Sequence, residues 1–494
     1  MSRELVLTDR GPVYRQIAEY FRDQIISGDM DSGTRLPTER TLAAQLGVNR
    51  STVSAAYDEL RAMGLIRSVP GRGTRVSEDS WGLAYRTPDW MTYLEHGIFQ
   101  PTLPLVRRIW MANRQPGFIN FARGEMASEL WPSDKMLTVL QKISSGLPLG
   151  YSDPRGEEIL RSAIADHLRT EYQLEVSDHR VLVTAGSQQG LLLVIQTLLR
   201  PGDAVGLEQP SYAYSLPLFA AAGIRRFPIP VDGDGVIPEA IIPLHRRHKI
   251  RMVFVTPTYQ NPTATTLTLP RRRRLLDICG DLRIPIIEDD AHGALTLAGS
   301  PLPPPPIAAL SDAGHQVLYL GTLSKTWAPG LRVGWLVGPA SVVDRLAGVR
   351  EQMDFGVSTL AQVTAAEILQ SGAWDRQLTQ LQLTLTRRRN AMAHALFETF
   401  GDDLQFTLPG GGYHLWTSLP PEVSEIRLLD AALDKRVVVV PGSVYGSPPG
   451  FLRITYASSL ESEITEGVLR LHDAITMWSN VAPTPLQIAR GQHT

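Results

Sequence analysis

The sequence predicts two domains of different class, a small α+β domain at the amino terminus and a large α/β domain after it. At 494 residues the chain is too long for a single hydrophobic core. Its first part contains short helices around glycine turns, followed by two short strands. From residue 119 onward, strand-like apolar runs alternate with helical stretches, which is typical of a mostly parallel sheet with helices on both faces.

Composition excludes several classes of protein. The formal net charge is −2, so the chain as a whole is no polycation that binds nucleic acid or membranes by charge alone. No apolar run approaches the roughly 20 residues that span a bilayer, and the early acidic residue Glu4 is unlike a signal peptide. The single cysteine, Cys279, excludes an internal disulfide and reads as a buried structural thiol. We expect a cytoplasmic protein that does not enter a membrane, and we predict no metal site.

The amino-terminal domain contains a helix-turn-helix pattern. An amphipathic helix is predicted over residues 14–26. Thr38 can cap a second helix, Gly47 ends it, and a third helix starts at Arg50. Two short strand-like runs then surround Pro70-Gly71-Arg72, which is the pattern of a wing.

Local charge in this domain favours DNA binding. Residues 35–76 contain seven arginines and three acidic residues, a local net charge of +4. The third helix opens with Arg50-Ser51-Thr52, and the start of such a helix is where side chains reach base edges and phosphates. A small helical domain with an incidental basic face is the alternative.

Residues 12–76 resemble the winged-helix domain of the GntR regulators. The resemblance rests on Leu36-Pro37-Thr38-Glu39-Arg40, on Gly47-Val48-Asn49-Arg50-Ser51-Thr52-Val53 and on Gly71-Arg72-Gly73. It implies that the following residues contact DNA: Arg40, Arg50, Ser51, Thr52, Gly71 and Arg72.

The pattern along the chain predicts four segments. The DNA-binding domain is expected over residues 1–78, and a linker rich in Trp, Pro and Arg over residues 79–115. The large domain is expected over residues 116–480, followed by a tail without periodicity over residues 481–494.

In the large domain, polar and aromatic residues follow the predicted strands. Ligands bind at the carboxyl ends of the strands in sheets of this kind. The turn Gly186-Ser187-Gln188 opens a helix, whose free N–H groups can bind an anion. Tyr212, Asn261 and Asp289 follow three further strands. Taken singly, each has an ordinary alternative, namely a packed tyrosine, a loop amide or a solvated acid.

Lys325 follows another strand-like run, within a turn rich in Ser and Thr. Thr322 and Ser324 precede it, and Arg332 lies seven positions after it. An arginine can hold a phosphate through two donors, so this stretch indicates a lysine that forms a Schiff base beside a bound phosphate. For the lysine alone, a solvated surface cation is the alternative.

The order phosphate turn, aromatic, Asn, Asp, Lys, Arg resembles the fold-type I aminotransferases, which bind pyridoxal 5′-phosphate. The resemblance spans residues 119–475 and includes segments 150–156 and 450–454. It implies an α/β fold with a small carboxyl-terminal subdomain. It also implies that Lys325 forms the aldimine and that Asp289 pairs with the pyridine nitrogen.

The same resemblance assigns the remaining pocket residues. Asn261 would bond the ring hydroxyl, and Tyr212 would stack on the ring. Tyr151 would reach the phosphate of a neighbouring subunit, which implies a dimer, and Arg453 would take the carboxylate of an amino acid. The phosphate would be held by Ser187, Gln188, Thr322, Ser324 and Arg332.

One position departs from the pattern of these enzymes. They commonly carry a tyrosine two or three residues after the first Asp of the acidic segment, where this chain has Ala291 and His292. Either His292 replaces that contact to the ring hydroxyl or the contact is missing, which puts efficient turnover in question. Two other features lie outside this pattern. His414 is a candidate for lining the pocket, with a position outside it as the alternative, and residues 271–274 are predicted to be an exposed helix start.

The two domains together resemble the MocR/GabR regulators over nearly the whole chain. This implies a transcriptional regulator that binds promoter DNA, senses a small amine, amino acid or vitamer through Lys325, and forms a domain-swapped homodimer. One alternative is an aminotransferase with a minor appended domain, and another is a regulator whose pocket has lost its cofactor.

Overall fold

A computed structural model describes Leu5, Leu7 and the ranges 11–27, 29–69, 73–77, 97–99, 104–143, 150–310, 315–420 and 423–479. The chain divides into two compact units, Met1–Gly97 and Ile98–Thr494. The wing tip at residues 70–72, with Gly71 and Arg72, lies outside the described residues, as do most of the expected linker and the whole expected tail. Among the described helices, none has the length and apolar character needed to cross a membrane.

The amino-terminal unit is a three-helix domain with an antiparallel strand pair. Its elements are α1 (Val13–Ile26), α2 (Glu39–Leu46), α3 (Arg50–Ala62), β1 (Ile66–Val69) and β2 (Gly73–Val76). Thr38 Oγ1 accepts the backbone N–H of Thr41 at 3.2 Å, and Gly47 closes α2 with φ 65°, so the predicted start and end of α2 are confirmed. The fully buried Tyr57 donates its hydroxyl to the Pro37 carbonyl at 2.8 Å, which ties α3 to the entry of α2.

The second unit is a large α/β domain. Its helices before the middle of the chain are α4 (Pro104–Ala112), α5 (Ser133–Lys142), α6 (Glu158–Tyr172), α7 (Ser187–Leu198), α8 (Tyr212–Ser215), α9 (Leu218–Ala221) and α10 (Ile241–His248). The later helices are α11 (Leu269–Asp281), α12 (Ala340–Met353), α13 (Thr359–Gln370), α14 (Ala373–Phe400), α15 (Glu425–Asp434) and α16 (Glu461–Ser479). Helix α4 lies inside the expected linker, where Ile109 and Ala112 are buried.

Eight strands of this unit form one sheet, in the order β4-β11-β10-β9-β8-β5-β6-β7. The strands are β4 (Val181–Thr184), β5 (Ala204–Gln209), β6 (Arg225–Asp232), β7 (Gly235–Val236), β8 (Met252–Val255), β9 (Ile286–Asp289), β10 (Val317–Thr322) and β11 (Gly334–Val337). Strands β10, β9, β8, β5 and β6 pair in parallel, while β11 is antiparallel to both β10 and β4. The expected mostly parallel sheet is confirmed.

Both faces of the sheet are buried, because successive side chains on a strand point to opposite faces. On β4, Val181 and Val183 pack in one apolar cluster and Leu182 packs in another. Cys279 is fully buried in a third cluster, on α11, which confirms the structural thiol.

A smaller sheet lies near the carboxyl terminus. It contains β12 (His414–Ser418), β15 (Phe451–Thr455) and β14 (Val440–Pro441), all antiparallel. The short strand β13 (Val437–Val438) instead pairs in parallel with β3 (Ile119–Asn120). The three-stranded sheet of β12, β15 and β14 corresponds to the expected carboxyl-terminal subdomain.

The expectation of an exposed helix start over residues 271–274 is confirmed for Arg273 and Arg274, which are exposed near the start of α11, but it is wrong for Arg272, which has no exposed surface. Its guanidinium donates to the carbonyls of Leu267, Pro257 and Pro305 at 2.9–3.0 Å. Buried carbonyl groups need donors, and this arginine supplies them between the helix and two loops.

Candidate cofactor site and DNA-binding helix

Lys325 lies in the turn that follows β10, and its ammonium group donates a hydrogen bond to the Gly124 carbonyl at 2.6 Å. Desolvation lowers the pKa of Lys325 from 10.5 to about 8, and the positive charge of Arg453 adds to the shift. The Tyr413 hydroxyl donates to the backbone carbonyl of Lys325 and so fixes the turn. A solvated surface lysine would keep its ordinary pKa, so Lys325 is not one.

Three of the residues predicted to hold a phosphate form one cluster. Arg332 donates from Nη2 to the Ala185 carbonyl at 2.7 Å and from Nη1 to Ser324 Oγ at 3.3 Å. Thr322 Oγ1 accepts the backbone N–H of Ser324 at 3.1 Å. Gly186 has φ 85°, and a Cβ there would lie 2.5 Å from Arg332 Nη2, so glycine leaves room for the guanidinium.

Ser187 and Gln188 are the first two residues of α7, directly after Gly186. Neither side chain is hydrogen-bonded within the described part of the chain, and Gln188 is exposed. Their backbone N–H groups stand at a helix start, where the first donors have no partner inside the helix. The helix start and the arginine cluster meet around Gly186, so both point to an anion at this place.

Asp289 is the last residue of β9, two strands away from β11 in the sheet. Its Oδ1 is buried and has no hydrogen-bond partner among the described residues. Desolvation raises the pKa of Asp289 to about 7, the negative charge of Asp290 adds to the rise, and Lys325 opposes it. A buried acceptor without a donor is costly, and the N–H group of a bound ligand would satisfy this oxygen.

Asn261, Arg453 and Tyr212 are joined in a second cluster. Arg453 Nη1 donates to Asn261 Oδ1 at 3.0 Å, and Nη2 donates to the Ala122 carbonyl. The guanidinium lies 5.0 Å from the centre of the Tyr445 ring. The backbone N–H of Tyr212 donates to the Asn261 carbonyl at 2.8 Å. The predicted carboxylate-binding arginine and the two predicted ring contacts are therefore neighbours.

His292 and His414 lie beside these clusters as a buried pair. The His292 ring centre is 5.5 Å from that of Tyr413 and 5.7 Å from that of His414. Both His292 nitrogens are buried and unpartnered among the described residues. Desolvation and the nearby positive charges of Lys325 and Arg453 lower the pKa of His292 to about 3, so the ring is neutral. His414 Nδ1 contacts Thr455 Oγ1 at 2.9 Å, while its Nε2 has no partner in the described structure.

Tyr151 is the one predicted cofactor contact that the chain does not bring to this cluster. Its side chain is 87% exposed and packs against Phe355, with the ring centres 5.1 Å apart. The role that the resemblance implies for it belongs to a neighbouring subunit.

Several site residues could not be found from the sequence. The carbonyls of Gly124 and Ala122 act through the backbone, which has no signature in residue type. Tyr413 lies between the glycines at residues 410–412 and His414, but nothing in this sequence indicates a hydrogen bond from Tyr413 to Lys325.

The pocket residues fit pyridoxal 5′-phosphate. Asp289 offers a buried, unpartnered oxygen that a ring N–H would satisfy. The absence of a Cβ at Gly186 lets the Arg332 guanidinium lie beside the start of α7, where a phosphate could bind. Lys325 offers an amine of lowered pKa, as covalent attachment to an aldehyde requires.

Helices α2 and α3 present the predicted DNA contacts on the surface of the amino-terminal unit, with Arg40 on α2 and the other three residues on α3. Arg40, Arg50 and Ser51 are exposed, and Thr52 is partly exposed. Arg50 Nε lies 3.3 Å from Glu39 Oε2, an ion pair that was not foreseen.

Asn49 caps α3 and also engages a predicted DNA contact. Its Oδ1 accepts both the backbone N–H and the hydroxyl of Ser51 at 3.1 Å. With its proton donated to Asn49, the Ser51 hydroxyl has only its lone pairs left, with which it can accept a further hydrogen bond.

Comparison with known proteins links both units to established families. Residues 116–471 match the aminotransferase class I and II family, and residues 13–76 match the gntR family of bacterial regulatory proteins. The HTH-type transcriptional regulator YisV of Bacillus subtilis is 35% identical over 461 residues, which cover 92% of this chain and 94% of that protein. Aromatic-amino-acid aminotransferase 1 of Thermococcus litoralis is 30% identical over 368 residues, which cover 72% of this chain and 88% of the enzyme.

Solved structures resemble the large unit. The kynurenine aminotransferase of Pyrococcus horikoshii, solved in complex with PMP, has a TM-score of 0.74 and 27% identity, covering 80% of this chain and 99% of that one. The fold implies pyridoxal phosphate as the cofactor of this chain. The chain belongs to the MocR-type transcriptional regulators, in which a GntR winged helix-turn-helix precedes an aminotransferase class I and II domain.

Proposed function

We propose that this regulator binds promoter DNA through α3 and the wing, and that its large domain senses a small amine, amino acid or vitamer at Lys325. The observation that carries the proposal is the pairing of two unusual groups at one edge of the sheet. Lys325 has an amine whose pKa is lowered to about 8, and Asp289 has a buried oxygen without a partner among the described residues.

When bound, pyridoxal phosphate supplies an aldehyde that condenses with primary amines and a pyridine ring that withdraws electrons. Lys325 would provide the attaching amine and Asp289 would hold the proton of the ring nitrogen. Asn261 and Tyr212 would position the ring. The phosphate would be held by Ser187, Gln188, Thr322, Ser324 and Arg332.

Lys325 provides a physical basis for sensing. Its Nζ can be committed to the cofactor or can donate to the Gly124 carbonyl, as it does at 2.6 Å in this structure. An amine effector that releases Lys325 changes the charge of the pocket and restores this contact to residue 124. A ligand shifts an equilibrium only through such a difference between two states.

Arg453 supports an effector that carries a carboxylate. It is almost fully buried, its Nε is unpartnered in the described structure, and its other donors face Asn261 and Ala122. Charged donors of this kind bind carboxylates strongly. An amino acid is therefore favoured over a simple amine.

The two units also support a second copy of the chain and promoter DNA as partners. The exposed Tyr151 supports a homodimer in which it reaches the site of the other subunit, with the domain-swapped arrangement that the family resemblance implies. Binding to promoter DNA places the protein in the cytoplasm.

Absorbance of the purified protein tests the cofactor site. We expect a visible band that borohydride fixes to the chain as a lysine adduct, and no such adduct in Lys325→Ala. An amine or amino acid from a panel should shift the band of the wild type. An adduct that persists in Lys325→Ala would refute the assignment of this lysine.

An aminotransferase with a minor DNA-binding domain is the second candidate. It is favoured by the presence of Lys325, Asp289 and Arg453 in one pocket, together with the similarity to the Thermococcus litoralis enzyme. This candidate predicts multiple turnovers with an amino donor and a keto acid, and DNA binding too weak to measure. The regulator predicts salt-dependent DNA binding and a half-reaction at most.

A further inference from the structure

A row of arginines crosses the amino-terminal edge of the large sheet, opposite the edge that carries Lys325. Arg225 begins β6, Arg251 directly precedes β8, and Arg283 lies three residues before β9. The backbone N–H of Arg225 donates to the Asp203 carbonyl at 2.9 Å, and that of Arg251 to the Ala204 carbonyl at 2.8 Å. The two arginines therefore flank the start of β5. Adjacent strands lie about 4.8 Å apart, so the row from β6 to β9 is roughly 14 Å long.

Helix α10 adds further cations to this edge. Residues 241–251 contain four Arg or Lys residues and no Asp or Glu. Lys249, Arg251 and Arg283 line a groove of about 420 Å³ together with His245 and apolar residues. This basic edge, defined by Arg225, Arg246, Arg247, Lys249, Arg251 and Arg283, contrasts with the near-neutral charge of the whole chain.

Most of these cations have no carboxylate partner. Arg246, Arg247, Lys249, Arg251 and Arg283 are exposed, and none forms an ion pair within the ranges that the structure describes. On the neighbouring surface, by contrast, Arg271 pairs with Asp232 and Arg274 pairs with Glu239. The arginines of the neighbouring surface are therefore neutralised by acidic residues, whereas these five cations of the basic edge have no such partner among the described residues.

Groups that face the edge confirm its positive potential. The pKa of His248 is lowered by desolvation and by the positive charges of Arg247 and Arg225. Asp203, an acidic residue beside the row, uses Oδ2 to accept the backbone N–H of Arg200 at 2.9 Å. Lys249 follows the end of α10, where a cation is favoured by the helix dipole. The helix dipole also favours Arg246 and Arg247, which lie in the last turn of α10, but it does not act on Arg251 or Arg283, which precede strands.

We propose that the basic edge is a second DNA contact, which holds the phosphate backbone of duplex flanking the site that the winged helix reads. The inference rests on the proposed DNA-binding function. Duplex DNA carries a charge about every 1.7 Å, and a row of arginines across four strands suits a backbone. Such contacts position the protein without reading the base sequence. The large domain would then take part in DNA binding directly.

The experiment compares two triple variants of the full chain. Arg247→Gln/Arg251→Gln/Arg283→Gln neutralises the basic edge, and Arg345→Gln/Arg376→Gln/Arg387→Gln removes the same charge from exposed arginines elsewhere. Binding to a random-sequence 60-bp duplex is measured by fluorescence anisotropy between about 50 and 200 mM salt. The cofactor absorbance and the unfolding midpoint of each variant confirm that the fold is intact.

We expect the edge variant to bind the duplex on the order of tenfold more weakly than the wild type. The slope of log K against log salt concentration should be shallower by about two to three, because each lost phosphate contact reduces its magnitude by about 0.9. The control should match the wild type. Equal slopes for the two variants would overturn the second contact while leaving the winged helix in place. A loss confined to inorganic pyrophosphate or ATP binding would overturn it as well, in favour of a small-anion site. A wild type that binds no DNA would instead refute the proposed function itself.

Discussion

Lys325 is the residue whose chemistry can be tested most directly through pH. Only the uncharged amine attacks an aldehyde, and the pKa of Lys325 is lowered to about 8 by desolvation. Below this pKa the ammonium form dominates, and above it the free amine dominates. The uncharged fraction therefore rises about tenfold between pH 7 and pH 9, whereas an unshifted lysine would gain about a hundredfold.

We therefore expect the rate of cofactor incorporation into the apoprotein to rise about tenfold from pH 7 to pH 9 and then to level off. Stopped-flow absorbance measures the rate, with Lys325→Ala as the blank. A rate that is still rising steeply above pH 9 would show that the lysine is not desolvated.

His292 is held in a costly environment that a cofactor would relieve. Both of its nitrogens are buried without partners in the described structure, and an unsatisfied buried polar group costs roughly 1–3 kcal/mol. His292→Phe should thus stabilise the apoprotein by about 1–2 kcal/mol. With cofactor bound the gain should shrink or reverse, because histidine then has a partner.

Urea unfolding of the apo and cofactor-loaded forms measures both effects, with the exposed His394→Phe as control. Equal changes in the two forms would mean that His292 packs in the core and does not contact the cofactor.

At the scale of elements, we propose that helix α3 is the part of the chain that reads DNA. Arg50 is exposed at its start and is oriented by Glu39 across the turn from α2. Arg50→Ala should remove one charged contact, lower the affinity at least tenfold and make the salt slope shallower by about 1. Helix α1 offers Arg22→Ala as a control at a partly exposed arginine of the same unit.

The probe for this prediction is a duplex selected by the wild type from a random pool. The cofactor spectrum should be unchanged in both variants. Wild-type binding that is insensitive to salt would remove the basis for any phosphate contact, and an equal loss in Arg22→Ala would mean that α3 is not the reading helix.

At the scale of the whole molecule, we propose that the cofactor site is completed by a second subunit. Tyr151 is 87% exposed in the single chain, and we propose that it completes the site of its neighbour. Tyr151→Phe should then lower cofactor affinity about tenfold, the size expected for one lost charge-assisted hydrogen bond.

A mixed dimer distinguishes this arrangement from a contact within one chain. In a hybrid of Tyr151→Phe and Lys325→Ala subunits, one site holds both intact residues and the other holds both defects. One site per hybrid should therefore regain wild-type affinity in absorbance titrations. A hybrid with no such site would show that Tyr151 acts within its own chain, whereas unchanged affinity of the Tyr151→Phe homodimer would show that Tyr151 has no role.

Local features of the sequence were enough to predict most elements. Thr38 and Gly47 bound α2 as expected, because capping and left-handed turns depend on the residues themselves. The strands before Asp289 and Lys325 were recognisable as short apolar runs, since a strand buried on both faces needs them.

The sequence by itself determined which chemical groups stand at the ends of which strands, and hence the cofactor, and it also determined the helix-turn-helix pattern of the amino-terminal unit. Only the tertiary structure decided which groups touch. Arg332 reaches Ala185 because β11 pairs with β4, and strand order is not encoded in any local pattern. Burial likewise left His292 without partners in the described structure and enclosed Arg272 among carbonyls. Both outcomes depend on neighbours distant in the chain, because desolvation is a property of the packed molecule rather than of a segment.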